Sequence, residues 1–152
     1  MCIYTHKMFE KISRKDIIAI NQHYDSGTVI NSSSLDFALD EANKSKSWLK
    51  SCAYLVRAVL LDHVFEEGNK RTAADIIVGF FEENELNYDP DKISKGIVFM
   101  LKKNVTSIAE IERVILNAII SWLCKKRNEE TSGNSFSTDG IWKNEEASKN
   151  II

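Results

Sequence analysis

The stretch His63-Val-Phe-Glu-Glu-Gly-Asn-Lys-Arg-Thr-Ala73 concentrates groups that can do chemistry. His63 can serve as a base near neutral pH. Glu67 falls where an apolar helical pattern gives way to a loop, and one carboxylate plus substrate phosphates is the usual way to hold Mg²⁺. Gly68 lets the backbone approach a bulky anion. Asn69, Lys70 and Arg71 fall at the expected first turn of the next helix, where backbone N–H groups lack intrahelical partners and can bind phosphate. Two cations at that turn oppose the positive end of the helix dipole. An anion normally seated there would resolve the conflict.

Plainer readings of the same residues stand beside this one. A lone histidine next to an apolar face is usually structural. Lys70 and Arg71 can be solvated, and Glu66 and Glu67 can be loop surface. His63 and Glu67 have the i, i+4 spacing of a metal pair, but two further ligands are not visible nearby. Gly-Asn-Lys-Arg also lacks the spacing of a Walker-type phosphate loop. The residues by themselves indicate a helical domain with a candidate anion site.

The elements around the stretch read as helices. Ser13 to Asp16 has capping-box spacing and opens a first helix carrying Ile17, Ile18 and Ile20, running to about Tyr24. Asp25-Ser-Gly27 stops it, Thr28-Val-Ile30 suits a short extended piece, and Asn31 to Ser34 offers the next N-cap. Leu35, Ala38, Leu39 and Ala42 mark the second helix. Trp48, Cys52, Leu55, Val56, Val59 and Leu60 share one face of a third, expected to end near His63 to Phe65. Ala73, Ile76, Ile77, Phe80 and Phe81 form the stripe of a fourth, ending near Asn84. Asp89-Pro-Asp91 starts a fifth with Ile93, Ile97, Met100 and Leu101 inward. Ser107 caps a sixth, whose inward residues are Ile108, Ile111, Ile115, Ala118, Ile119 and Trp122, closed by the positive charge of Lys125-Lys-Arg127.

The chain of 152 residues suits one domain with a real core. The expected class is all-α: a compact bundle of about six helices over residues 1–127, with at most a short flap strand or hairpin. Residues 128–152 form a polar tail, rich in Glu, Ser, Thr, Asn and Gly, that is expected to lack fixed structure for the most part. A net charge of -2 and a pI near 5.9 give no whole-molecule attraction for nucleic acid. Cys2, Cys52 and Cys124 are scattered, and Cys52 and Cys124 fall on apolar patterns that suit buried thiols. No run approaches a membrane span and the N-terminus has no apolar leader core, so the expected compartment is the cytoplasm.

The segment His63 to Arg71 resembles the signature of the Fic/Doc family. That signature runs His, any residue, Phe, any residue, Asp or Glu, Gly or Ala, Asn, Gly or Lys, Arg, and every fixed position is filled. The flanking helices resemble the family over roughly residues 10 to 120. The resemblance implies an ATP- and Mg²⁺-dependent transferase acting on a hydroxyl of a target protein. It assigns His63 to accept the hydroxyl proton, Phe65 to anchor the loop and Glu67 to hold Mg²⁺. Gly68 and Asn69 would cradle phosphate through backbone and amide groups, beside Lys70, and Arg71 would neutralise phosphate oxygens. Residues 25 to 34 lie where the family places a flap that aligns the target chain, and they read equally well as an ordinary interhelical loop.

Lys70, and Ala74 where many AMP-transferring members have a second arginine, resemble the Doc branch of kinase toxins. That branch implies phosphoryl transfer, suggests a translation factor as target, and points to control by a separate antitoxin. Gly68 is the Fic-like choice, so AMP transfer is the alternative, and a non-catalytic nucleotide-binding module is a second. Self-inhibiting members carry Ser or Thr followed four residues on by Glu and then Gly or Asn. Ser135 to Gly140 approaches this with Asp139 in place of Glu, and Ala74 removes the salt-bridge partner.

Overall fold

A computed structural model describes residues 11–120. Cys2, Trp122, Cys124, the basic run 125–127 and the tail 128–152 lie outside the described residues. Six helices follow one another: α1 (Arg14–Asn21), α2 (Ser32–Lys44), α3 (Trp48–Leu60), α4 (Asn69–Glu83), α5 (Pro90–Lys103) and α6 (Ile108–Asn117). The fold is all-α, with no named strand among the described residues.

Helix starts follow local chemistry. Ser13 and Asp16 form a reciprocal capping box on α1: Ser13 Oγ accepts from the Asp16 N–H (3.3 Å), and the Ser13 N–H donates to Asp16 Oδ2 (2.7 Å). Asn31 Oδ1 accepts from Ser34 N–H at α2, and Ser47 Oγ accepts from Lys50 N–H at α3. Asp89 caps α5, whose first residue is Pro90. Ser107 holds the N-cap position of α6 but makes no side-chain capping bond.

α3 is the central element. It packs against α2, α4 and α6, and its Cys52, Val56 and Val59 are completely buried. Burial pushes the Cys52 thiol well above its ordinary range. α5 closes over α4 and α6, and α1 lies across α4. Two aromatic contacts tie α3 to α4 and the α4–α5 loop: Trp48 meets Phe81 edge-on at 6.1 Å, and Phe81 meets Tyr88 at 5.6 Å. No helix among the described residues is long and apolar enough to cross a membrane.

Three helices end earlier than their apolar patterns suggest. α1 stops at Asn21 rather than near Tyr24, and the chain turns there, with Tyr24 N–H and Asp25 N–H both donating to the Asn21 carbonyl (2.9 Å each). α3 stops at Leu60, because His63 adopts a left-handed backbone (φ 50°) and the Val64 carbonyl accepts instead from Ile30 and Asn31 N–H. α6 stops at Asn117. Ala118 to Ile120 turn away to pair with the α4–α5 loop, through Asp89 N–H to the Ala118 carbonyl (2.9 Å) and Ile120 N–H to the Asn87 carbonyl (3.0 Å). Ala118, at the C-cap of α6, and Ile119, in a β-bridge with Tyr88, still reach the core.

The short extended piece at 28–30 pairs inside the molecule. Val29 bridges Phe65 in antiparallel sense, with Ile30 N–H donating to the Val64 carbonyl (2.8 Å) and Glu66 N–H to the Thr28 carbonyl (3.0 Å). This one rung fastens the α1–α2 loop to the loop that carries His63 and Glu67.

Candidate functional site

The α3–α4 loop is held from beneath and behind. The Phe65 side chain is fully buried. Its backbone is clamped by Asn69: the Phe65 N–H donates to Asn69 Oδ1 (3.0 Å), and Asn69 Nδ2 donates to the Phe65 carbonyl (2.8 Å). Both ends of the Asn69 amide therefore serve the loop. What Asn69 offers a ligand is its backbone N–H at the first position of α4.

α4 begins without the usual stabilisers. Its N-cap is Gly68, in the left-handed region (φ 76°), with no side-chain capping bond and no acidic residue in the first turn. The first intrahelical bond is Thr72 N–H to the Gly68 carbonyl, at 2.9 Å. The N–H groups of Asn69, Lys70 and Arg71 thus precede the helical ladder. Space at Gly68 is tight: an added Cβ would lie 3.0 Å from Asn21 Nδ2, 3.5 Å from Asp25 Cβ and 3.6 Å from Tyr24 Cβ.

In front of this helix start lies a cleft of about 440 Å³. His63, Glu67, Gly68, Asn69, Lys70 and Arg71 all line it. Every residue expected from the sequence to act on a ligand meets at one surface. The remaining walls come from elsewhere: Tyr24 and Asp25 beyond the end of α1, Leu60 from α3 and Leu101 from α5. The cleft falls within the size range of small-molecule sites.

The Arg71 guanidinium lies over the Tyr24 ring, 5.8 Å from its centroid, and the Tyr24 hydroxyl donates to Asp75 Oδ2 at 2.6 Å. Tyr24 is thereby a shelf fixed to α4 at one end and supporting a cation at the other. Asn21 is the other contributor that sequence patterns did not single out. It is fully buried at the end of α1, accepts from Gly27 N–H (2.9 Å), and donates to the Glu67 carbonyl (2.9 Å) and to Thr72 Oγ1 (3.0 Å). A signal for it existed. Asn21 stands four residues after Ile17, on the apolar stripe, where a polar side chain needs buried partners.

The donors fit a magnesium-bound phosphate chain. Two cations and the N–H groups that precede the helical ladder gather at one end of α4, and the exposed Glu67 lines the same cleft. Among the described residues no three His, Cys, Asp or Glu side chains converge as a cage for a metal. No family model, no curated protein and no solved structure matches this chain.

Proposed function

We propose that this chain is an ATP-dependent transferase that modifies a hydroxyl side chain of another protein, by phosphoryl transfer. The observation that carries the reading is the meeting of His63, Glu67 and the Gly68–Arg71 helix start on one cleft. Magnesium-bound ATP would supply the activated phosphoryl group, with Glu67 as the protein ligand to the metal. Backbone N–H groups at the start of α4, with Lys70 and Arg71, neutralise phosphate oxygens and fix their position. His63 takes the proton from the attacking hydroxyl as its oxygen bonds to the γ phosphorus. The bond from that phosphorus to the β–γ bridging oxygen breaks, and ADP leaves.

The left-handed backbone at His63 serves this role, because it ends α3 and leaves the imidazole exposed at the mouth of the cleft. The rung at Val29 offers a place for the target. Thr28 C=O and Ile30 N–H point to the catalytic loop, so by strand alternation the N–H and C=O of Val29 face the other way. An extended target segment can add along that edge and bring its hydroxyl past His63. Cytoplasmic location, a translation factor as target and restraint by a separate antitoxin belong to the same proposal and rest on the family resemblance.

The test is incubation of the protein with a cell lysate and ATP labelled at either the α or the γ phosphate. Label entering a protein band from the γ position alone is the expected result. Label from the α position would replace the reading with AMP transfer. Nucleotide binding by calorimetry with no label in any band would make the domain a non-catalytic module. His63→Ala is expected to abolish labelling while leaving the circular dichroism unchanged.

A further inference from the structure

We infer that Asn21 is a positioning residue: its buried amide holds the Glu67–Gly68 peptide so that the Gly68 N–H faces the cleft as a phosphate donor. This deepens the nucleotide reading above and rests on it.

The orientation of the Asn21 amide is dictated by its partners. Gly27 N–H can only donate, so Oδ1 lies there at 2.9 Å; the Glu67 carbonyl can only accept, so Nδ2 lies there at 2.9 Å. No peptide among the described residues is cis. In a planar trans peptide the C=O and the following N–H point in opposite directions. The Glu67 carbonyl points inward to Asn21, which has no exposed surface. The Gly68 N–H therefore points away from Asn21, to the side on which Gly68 lines the cleft.

The next peptide is fixed in the same sense. The Gly68 carbonyl accepts from Thr72 N–H (2.9 Å) and from Thr72 Oγ1 (2.8 Å), and that hydroxyl in turn accepts from Asn21 Nδ2 (3.0 Å). With both carbonyls drawn away from the cleft, the N–H groups of Gly68 and Asn69 are turned toward the N-terminal side of α4. Rotating the Glu67–Gly68 peptide would require breaking a buried hydrogen bond and would leave the Glu67 carbonyl in front of the phosphate. Asn21 thereby decides whether this turn presents a donor or an acceptor to an anion.

The experiment is a titration of the full chain with magnesium–ATP, followed by amide NMR and calorimetry, for the wild type, Asn21→Ala and Asn21→Asp. In the wild type the Gly68 amide proton is expected to move downfield on binding. In both variants that shift should vanish, and affinity should fall about ten- to a hundred-fold, the usual weight of a hydrogen bond to a charged group. Circular dichroism establishes that the variants keep the fold. Variants that bind as tightly as the wild type with the Gly68 shift intact would overturn the role of Asn21. If both variants fail to fold, the wild type decides: shifts at Lys70 and Arg71 without one at Gly68 would refute the inference while leaving the nucleotide reading in place. No shift anywhere in the cleft would overturn both.

Discussion

Replacing Asn69 by alanine should loosen the loop that carries His63 and Glu67 more than any other single change on its exposed side. The Asn69 amide makes two hydrogen bonds to one residue, 3.0 Å from the Phe65 N–H and 2.8 Å to the Phe65 carbonyl. Phe65 itself is fully buried, so its backbone cannot move out to water without lifting the ring from the core. A neutral hydrogen bond contributes about 0.5–1.5 kcal/mol net, which puts the pair at about 1–3 kcal/mol. Alanine is the better helix former at this first helical position and returns up to about 0.7 kcal/mol. With that full return the expected net loss is about 0.3–2.3 kcal/mol, centred near 1.3 kcal/mol. In urea, with a slope of about 2 kcal/mol per molar, the central value lowers the midpoint by about 0.6 M without changing the slope. Glu66→Ala, an exposed side chain in the same loop, should stay within about 0.5 kcal/mol of wild type. Equal midpoints for Asn69→Ala and Glu66→Ala would refute the clamp and return Asn69 to a purely ligand-facing role.

Other consequences can be measured in the same way. Gly68→Ala must hold φ near 76° with its Cβ 3.0 Å from Asn21 Nδ2; a cost of about 1–2 kcal/mol is expected from the backbone alone, read as a lower thermal midpoint. Tyr24→Leu removes the shelf under Arg71, and a lost cation–π contact of about 0.5–1 kcal/mol should weaken ATP binding roughly two- to five-fold, while Tyr24→Phe keeps the ring and loses less. The Ser13 hydroxyl, followed by the Ser13 backbone N–H, lowers the Asp16 carboxyl below its ordinary range. Its stabilisation is therefore present above the unfolded value and lost as pH falls through the lowered folded one, so the denaturation midpoints of wild type and Asp16→Asn should converge below about pH 4.

Much of this architecture was legible in local patterns, for reasons that individual residues make clear. The capping box at Ser13, the cap at Asn31, Pro90 after Asp89 and the stripe from Ala73 to Phe81 depend on neighbours within one or two turns. The gathering of His63, Glu67 and Arg71 was also legible, because a short loop and one helix turn keep them together. The far wall of the cleft was not. Tyr24, Asp25 and Leu101 reach it only through the packing of α1 and α5 against α4, and Asn21 meets the Glu67 carbonyl across 46 residues of sequence. The end of α6 was hidden for a similar reason. Ile119 continues the helical apolar spacing, while pairing with the distant Asn87–Asp89 segment takes the backbone out of the helix.

The start of α4 is where local rules and architecture disagree, and the disagreement can be made to yield a sign. The starts of α1, α5 and α6 have an acidic residue in the first turn, and those of α1, α2, α3 and α5 have a side-chain cap. α4 has neither, and places Lys70 and Arg71 at its positive end. Lys70 is exposed, so Lys70→Glu loses no packing and reverses one unfavourable charge. Removing a misplaced cation and adding a favourable anion should each contribute about 0.3–1 kcal/mol, so the ligand-free variant should be about 0.6–2 kcal/mol more stable than wild type. The same carboxylate would repel a phosphate chain, so magnesium–ATP should raise the thermal midpoint of the wild type and leave that of the variant unmoved. A position kept at the expense of helix stability for the sake of an anion must show both effects together. A variant that is less stable without ligand would mean that Lys70 supports the fold, and one that is more stable yet still responds to ATP would mean that the phosphate does not depend on this turn.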